Sequence, residues 1–190
     1  MSEVELLEAI AVAAREAGAQ ILKLVAAGYD VETKGDLSPV TVCDRAAEAI
    51  ILAALARAAP GVPVIAEEEV AEGRIPAHGD TFFLVDPLDG TKEFVRGGDD
   101  YTVNIGLIVD GAPRLGVVYA PATDRLHGGL VGEGAFVEEH GKRSAIATRP
   151  RGGSGNTQTC RGGVSGRNQV RPVPRHHLRS RGRGDHLARA

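Results

Sequence analysis

The sequence predicts a mixed α/β layered fold, and three observations point to it. Two long stretches with helical periodicity open the chain, short apolar runs ending in carboxylates follow, and strand-like runs separated by turn residues come next. That order suits an α/β layered arrangement more than repeating βαβ units. No internal repeat is evident.

Ser2 with Glu5 three positions on forms a capping box, and Leu6, Leu7, Ile10, Ala13, Ala14, Ala17, Ile21, Leu24 and Val25 recur at helical spacing until Gly28. This predicts an amphipathic helix. A loop is expected through Lys34-Gly35-Asp36-Leu37-Ser38-Pro39. Asp44 to Ala59 then repeats the helical pattern and stops at Pro60-Gly61, giving a second helix. Pro63 to Ala66 and Thr81 to Val85 are short apolar runs with the character of buried strands, and each leads into carboxylates. Runs at Tyr101 to Val109 and Arg114 to Tyr119 flank Asp110-Gly111-Ala112-Pro113, and a third at Arg125 to Val131 leads into Gly132-Glu133-Gly134. An antiparallel meander follows from that spacing.

A chain of 190 residues with 43% hydrophobic content has room for one domain with a core. No apolar run is long enough to span a bilayer, and the start, Met1-Ser2-Glu3-Val4-Glu5, is acidic where a secretory signal would be basic. The expected location is the cytoplasm, with a peripheral place at the inner membrane as the alternative. Cys43 and Cys160 lie far apart without ligand spacing, so reduced thiols are expected, with neither a disulfide framework nor a zinc site. The six histidines sit singly or in the tail and read as surface residues.

The net charge of -3 hides an asymmetry: of 22 basic and 25 acidic residues, residues 149–190 hold ten arginines and the single acid Asp185. The first 148 residues are strongly acidic, so a phosphate-handling body would need metal. The segment from Arg149 is rich in Arg and Gly, lacks Phe, Tyr, Ile and Lys, and shows neither period. Two domains are therefore expected, 1–148 as the folded body and 149–190 as a disordered or non-native tail. The competing reading of the tail is an arm that touches nucleic acid through charge, without sequence specificity.

Glu67, Asp86 and Asp89 carry the functional argument, because a hard cation such as Mg²⁺ takes oxygen ligands and leaves places for water and phosphate. In Asp86-Pro87-Leu88-Asp89 the proline fixes the backbone, and a turn can bring both carboxylates and the Leu88 carbonyl toward one point. Gly90-Thr91 adds backbone amides and a hydroxyl, the parts of a phosphate cradle. The bland alternative, a surface turn, does not explain why this acidic motif follows an apolar strand. Glu67 follows Val64-Ile65-Ala66 and would reach the same sheet end, while Glu68 and Glu69 are expected to face solvent. Asp44 and Thr91 are candidates to orient and deprotonate a water. Asp44 is equally suited to cap its helix, and both uses can hold together.

Three segments, Ser38-Pro39-Val40-Thr41-Val42-Cys43-Asp44, Ala66-Glu67-Glu68 and Val85-Asp86-Pro87-Leu88-Asp89-Gly90-Thr91-Lys92-Glu93-Phe94, resemble the inositol monophosphatase superfamily in order and spacing. The last of these, with Tyr101 to Ile105 and Gly116 to Pro121, looks most like bacterial 3'(2'),5'-bisphosphate nucleotidases. The likeness runs from the first helix to about Thr148. It implies the layered αβαβα sugar-phosphatase architecture, N-terminal portion only. The implied activity is lithium-sensitive, Mg²⁺-dependent hydrolysis of adenosine 3',5'-bisphosphate to AMP and phosphate, a clearing step in sulfate assimilation. By the same resemblance Glu67, Asp86, the Leu88 carbonyl and Asp89 bind Mg²⁺, and Glu67 with Leu88 to Thr91 holds the small-molecule phosphate substrate. Asp44 and Thr91 then activate the water.

The family pattern continues with a Trp-Asp motif whose Asp completes the metal cluster, and this sequence has no Trp. The expectation is a truncated or frame-shifted product, with weak or absent turnover. The alternatives are an inositol or sugar monophosphatase, or a catalytically dead remnant that binds metal or phosphate.

Overall fold

The structure, a computed structural model, describes residues 1–27, 31–33 and 39–148. Of the loop expected through Lys34 to Pro39, Pro39 is described and begins a strand, while residues 34–38 and the tail expected from Arg149, with Cys160, lie outside the described residues.

Helix α1 (Glu3–Ala27) starts where its capping box puts it. The Ser2 hydroxyl accepts the Glu5 amide at 3.2 Å and the Glu5 carboxylate accepts the Ser2 amide at 2.7 Å. Strands β1 (Val31–Thr33) and β2 (Pro39–Thr41) form a small antiparallel pair ahead of helix α2 (Val42–Ala58). Because α2 begins at Val42, Asp44 lies inside its first turn and is not the cap that the sequence allowed. Strand β3 (Val64–Ala66), helix α3 (Glu67–Ala71), strand β4 (Thr81–Asp89) and helix α4 (Thr91–Val95) follow. The chain then forms β5 (Thr102–Val109), β6 (Ala112–Ala120), β7 (Arg125–Leu130), β8 (Gly134–Glu139) and β9 (Lys142–Ile146).

Strands β3 to β9 make one seven-stranded sheet in chain order, parallel between β3 and β4 and antiparallel elsewhere. The expected meander is present and runs two strands further, through β8 and β9. Asp110 and Gly111 both take positive φ, 52° and 72°, as the tight turn between β5 and β6 requires. His140 and Gly141 repeat that geometry between β8 and β9.

Alternation along the strands sends Phe83, Val85, Val103, Ile105, Leu115 and Val117 into one core with α1 and α2. Small residues let α1 approach closely: a Cβ added at Gly18 would sit 2.5 Å from the Tyr119 ring. Arg15 of α1 reaches Glu138 at 2.6 Å and Arg143 of β9 reaches Glu8 at 2.5 Å, tying the helix to the last strands. The opposite sheet face carries Leu84 and Val118 at 45% and 44% exposure, and a groove of about 1010 Å³ lies on it. The helical layer and the sheet are thus the α and β layers expected of the fold.

Candidate active site

The site is built where β4 ends. Pairing of β4 with β5 runs from Thr81 opposite Val109 to Asp86 opposite Asn104, and resumes at Asp89 opposite Thr102. Three steps on β4 therefore match two on β5, which is a bulge at Pro87-Leu88. In an unbroken strand Asp86 and Asp89 would point to opposite faces; the extra residue returns Asp89 to the face of Asp86. Asn104, opposite Asp86, confirms this by donating from Nδ2 to Asp89 Oδ2 at 3.4 Å. The motif is thus the bulged end of a strand, where the sequence suggested a turn after a strand. Proline suits it because its missing N–H falls where the ladder is interrupted.

Inside the bulge the Leu88 amide donates to Asp86 Oδ1 at 3.2 Å, and the Thr91 hydroxyl donates to the Leu88 carbonyl at 2.9 Å. That carbonyl keeps a second lone pair for a cation. The Thr91 proton is thus engaged by Leu88, and its oxygen remains able to accept. Asp44 itself is buried in α2. Gly90 has φ of 91°, and a Cβ there would lie 2.5 Å from the Asp100 carbonyl oxygen, so only glycine fits. Helix α4 starts at Thr91, and the amides of its first turn have no carbonyl partner within the helix, as a phosphate cradle needs. Edge-on contact between Phe94 and Tyr101, with ring centres 4.9 Å apart, anchors that helix.

Parallel pairing of Ala66 with Val85 puts Glu67 beside Asp86, and Glu67, Asp86 and Asn104 line one groove. Burial, then the charges of Glu67 and Asp89, push the Asp86 carboxyl up to about 7. Glu68, expected in solvent, is buried at 8% exposure: α3 starts at Glu67, and its second residue turns inward toward α2. There the Glu68 amide donates to the Glu48 carboxylate at 3.1 Å. The Glu48 carboxyl is raised mainly by burial, less so by Glu68, Glu69 and Glu72, against the lowering effect of that amide. Glu48 and Asn104 are the residues that sequence reading passed over. Each had a signal, a carboxylate four residues after Asp44 on the buried stripe of a helix, and an amide on the face of a strand shared with Thr102.

The chain matches the model of the inositol monophosphatase family over residues 3–181. It belongs to the inositol monophosphatase family. It is 41% identical over 146 residues to the 3'(2'),5'-bisphosphate nucleotidase CysQ of Escherichia coli K12, covering 76% of this chain and 59% of that protein. It is 39% identical over 126 residues to inositol monophosphatase 3 of Solanum lycopersicum, covering 66% of this chain and 47% of that one. Among solved structures, the suppressor protein suhB of Bartonella henselae superposes with a TM-score of 0.62 at 32% identity, over 76% of this chain and 55% of that one. The chain spans about three-fifths of the length of the bacterial nucleotidase it matches.

Inositol monophosphatase family members use divalent metal ions, and the donors here suit one. The set of Glu67, Asp86, Asp89 and the Leu88 carbonyl is all oxygen, as hard cations prefer. The Asp86 carboxyl is raised first by burial and then by the charges of Glu67 and Asp89, and a cation would neutralise that second part. The Asn104 Oδ1 beside them is buried without a hydrogen-bond partner among the described residues. Among the described residues no three such side chains already close around a single point, so the carboxylates form an open cluster and not a finished cage. Among the described residues, no helix is long and apolar enough to cross a membrane.

Proposed function

We propose that this chain carries the metal and phosphate site of a Mg²⁺-dependent phosphomonoester hydrolase that converts adenosine 3',5'-bisphosphate to AMP and phosphate, in sulfate assimilation. The observation that carries the reading is the bulged end of β4, with Asp86 and Asp89 on one face beside Glu67. Identity of 41% to a bacterial nucleotidase supports the choice of substrate.

In this reading Glu67, Asp86, the Leu88 carbonyl and Asp89 hold Mg²⁺. Glu67, Leu88, Asp89, Gly90 and Thr91 surround the phosphate. Bound metal supplies an acidified water and balances the charge of the phosphate oxygens. Thr91 Oγ1, its own proton engaged by the Leu88 carbonyl, accepts a hydrogen bond from the attacking water and orients it. Asp44, buried in the first turn of α2, is the proposed acceptor: the Thr91 hydroxyl would turn from the Leu88 carbonyl and pass its own proton to Asp44 while it takes one from the water. Hydrolysis of an inositol or sugar monophosphate at the same site is the second reading, favoured by the nearly equal identity, 39%, to a plant inositol monophosphatase.

Calorimetry with Mg²⁺ present, titrating adenosine 3',5'-bisphosphate and then inositol 1-phosphate, separates the two. The nucleotide is expected to bind more tightly, to bind only with Mg²⁺, and to lose binding in Asp86→Asn. Tighter binding of the inositol ester would transfer the assignment to the second reading. Binding of neither, or binding unchanged by Asp86→Asn, would end both.

A further inference from the structure

Helix α2 packs a stripe of buried residues, Ala47, Ile51 and Leu55 among them, against the core, and one of that stripe is a carboxylate. Glu48 is 6% exposed. Burying an acid is costly unless its oxygens are hydrogen-bonded, and an apolar residue of similar size is often the more stable choice. The partner explains its presence. Glu48 Oε2 accepts the backbone N–H of Glu68 at 3.1 Å, twenty positions away in sequence.

That amide belongs to the first turn of α3, where orphan N–H groups are usually met by a capping side chain. Here the cap residue is Ala66, which has no side chain able to accept, and no side-chain cap bond is formed. Glu48 does from a neighbouring helix what the cap would do locally. The bond falls one residue beyond Glu67. On the other side of Glu67, Ala66 is fully buried and paired with Val85. The Glu67 backbone is therefore held from both sides, by the sheet before it and by Glu48 after it, beside Asp86.

We infer that Glu48 is a positioning residue that sets the Glu67 carboxylate for the metal through the Glu68 amide. The inference rests on the reading of Glu67 and Asp86 as ligands. Groups that orient ligands without touching the ion typically contribute about 10–100-fold to metal affinity. Reach matters more than charge at this position, and two variants separate them. Glu48→Gln keeps an oxygen acceptor at the same distance and gives up the charge. Glu48→Asp keeps the charge and withdraws the acceptor by one methylene.

The test is calorimetric titration of Mg²⁺ alone into the full chain and both variants, with Asp86→Asn as control and metal-free melting of each. Glu48→Gln is expected to bind Mg²⁺ as the unaltered chain does, and Glu48→Asp about 10-fold more weakly. The loss in Glu48→Asp should exceed anything its metal-free melting accounts for. Equal affinities in all three chains, or weak binding by Gln with normal binding by Asp, would overturn the role of Glu48 while leaving the metal site standing. No saturable Mg²⁺ binding by the unaltered chain would instead overturn the site and the inference with it.

Discussion

Asp86 is pressed from two directions toward its protonated form, by burial and by the charges of Glu67 and Asp89. Its carboxyl, ordinarily near 3.8, is raised to about 7. Between those values the metal-free folded chain holds a proton that the unfolded chain has released. Its contribution to stability is therefore full at low pH and is lost as pH rises through about 7. Metal-free melting curves taken across that range should fall with pH in the unaltered chain and fall less in Asp86→Asn. The variant should then melt higher on the alkaline side, although it has lost a metal ligand. Parallel curves would contradict the account. The identity of Asp86, Asp89 and Glu67 was readable because motif and strand pattern agree, whereas the bulge was not. Pro87 and Gly90 carry the same signals in a turn and in a bulged strand, and only the continued pairing of Asp89 with Thr102 tells them apart. Glu68 was misplaced for a similar reason: in a run of three acids, sequence does not say where a five-residue helix begins.

Elements with strong periodicity were legible. The capping box and apolar stripe of α1 and the Asp110-Gly111 turn of the meander appear where their residue types require. Strand β9 was not, because every residue of it is exposed and no face alternates. It is held instead by pairing with β8, by the Arg143 bonds to Glu8 and Glu138, and by Arg143 lying 3.9 Å over the Phe136 ring. The seat of α1 on the sheet depends on Gly18, whose place a Cβ could take only by moving the Tyr119 ring and Pro121. Gly18→Leu should therefore cost about 1–3 kcal/mol by overpacking, despite leucine's better helix propensity. Thermal unfolding checks it, and an unchanged or raised midpoint would mean that α1 does not press on β6 as described.

At the scale of the described residues, one sheet face is buried under α1 and α2, and the other presents apolar side chains and a groove whose acidic end is the candidate site. The layered class was predictable from element order, and the direction of the site from which strands end in carboxylates. Its assembly was not, because it depends on a parallel register, a bulge and a carboxylate lent by α2, each set by contacts distant in sequence. The central claim is that this acidic end binds a divalent cation through Glu67, Asp86 and Asp89. Calorimetric titration of Mg²⁺ into the unaltered chain and into Asp89→Asn tests it most directly. Saturable binding by the unaltered chain that is lost or weakened at least about 10-fold in Asp89→Asn is the predicted result. Binding of equal strength in both chains, or in neither, would contradict it.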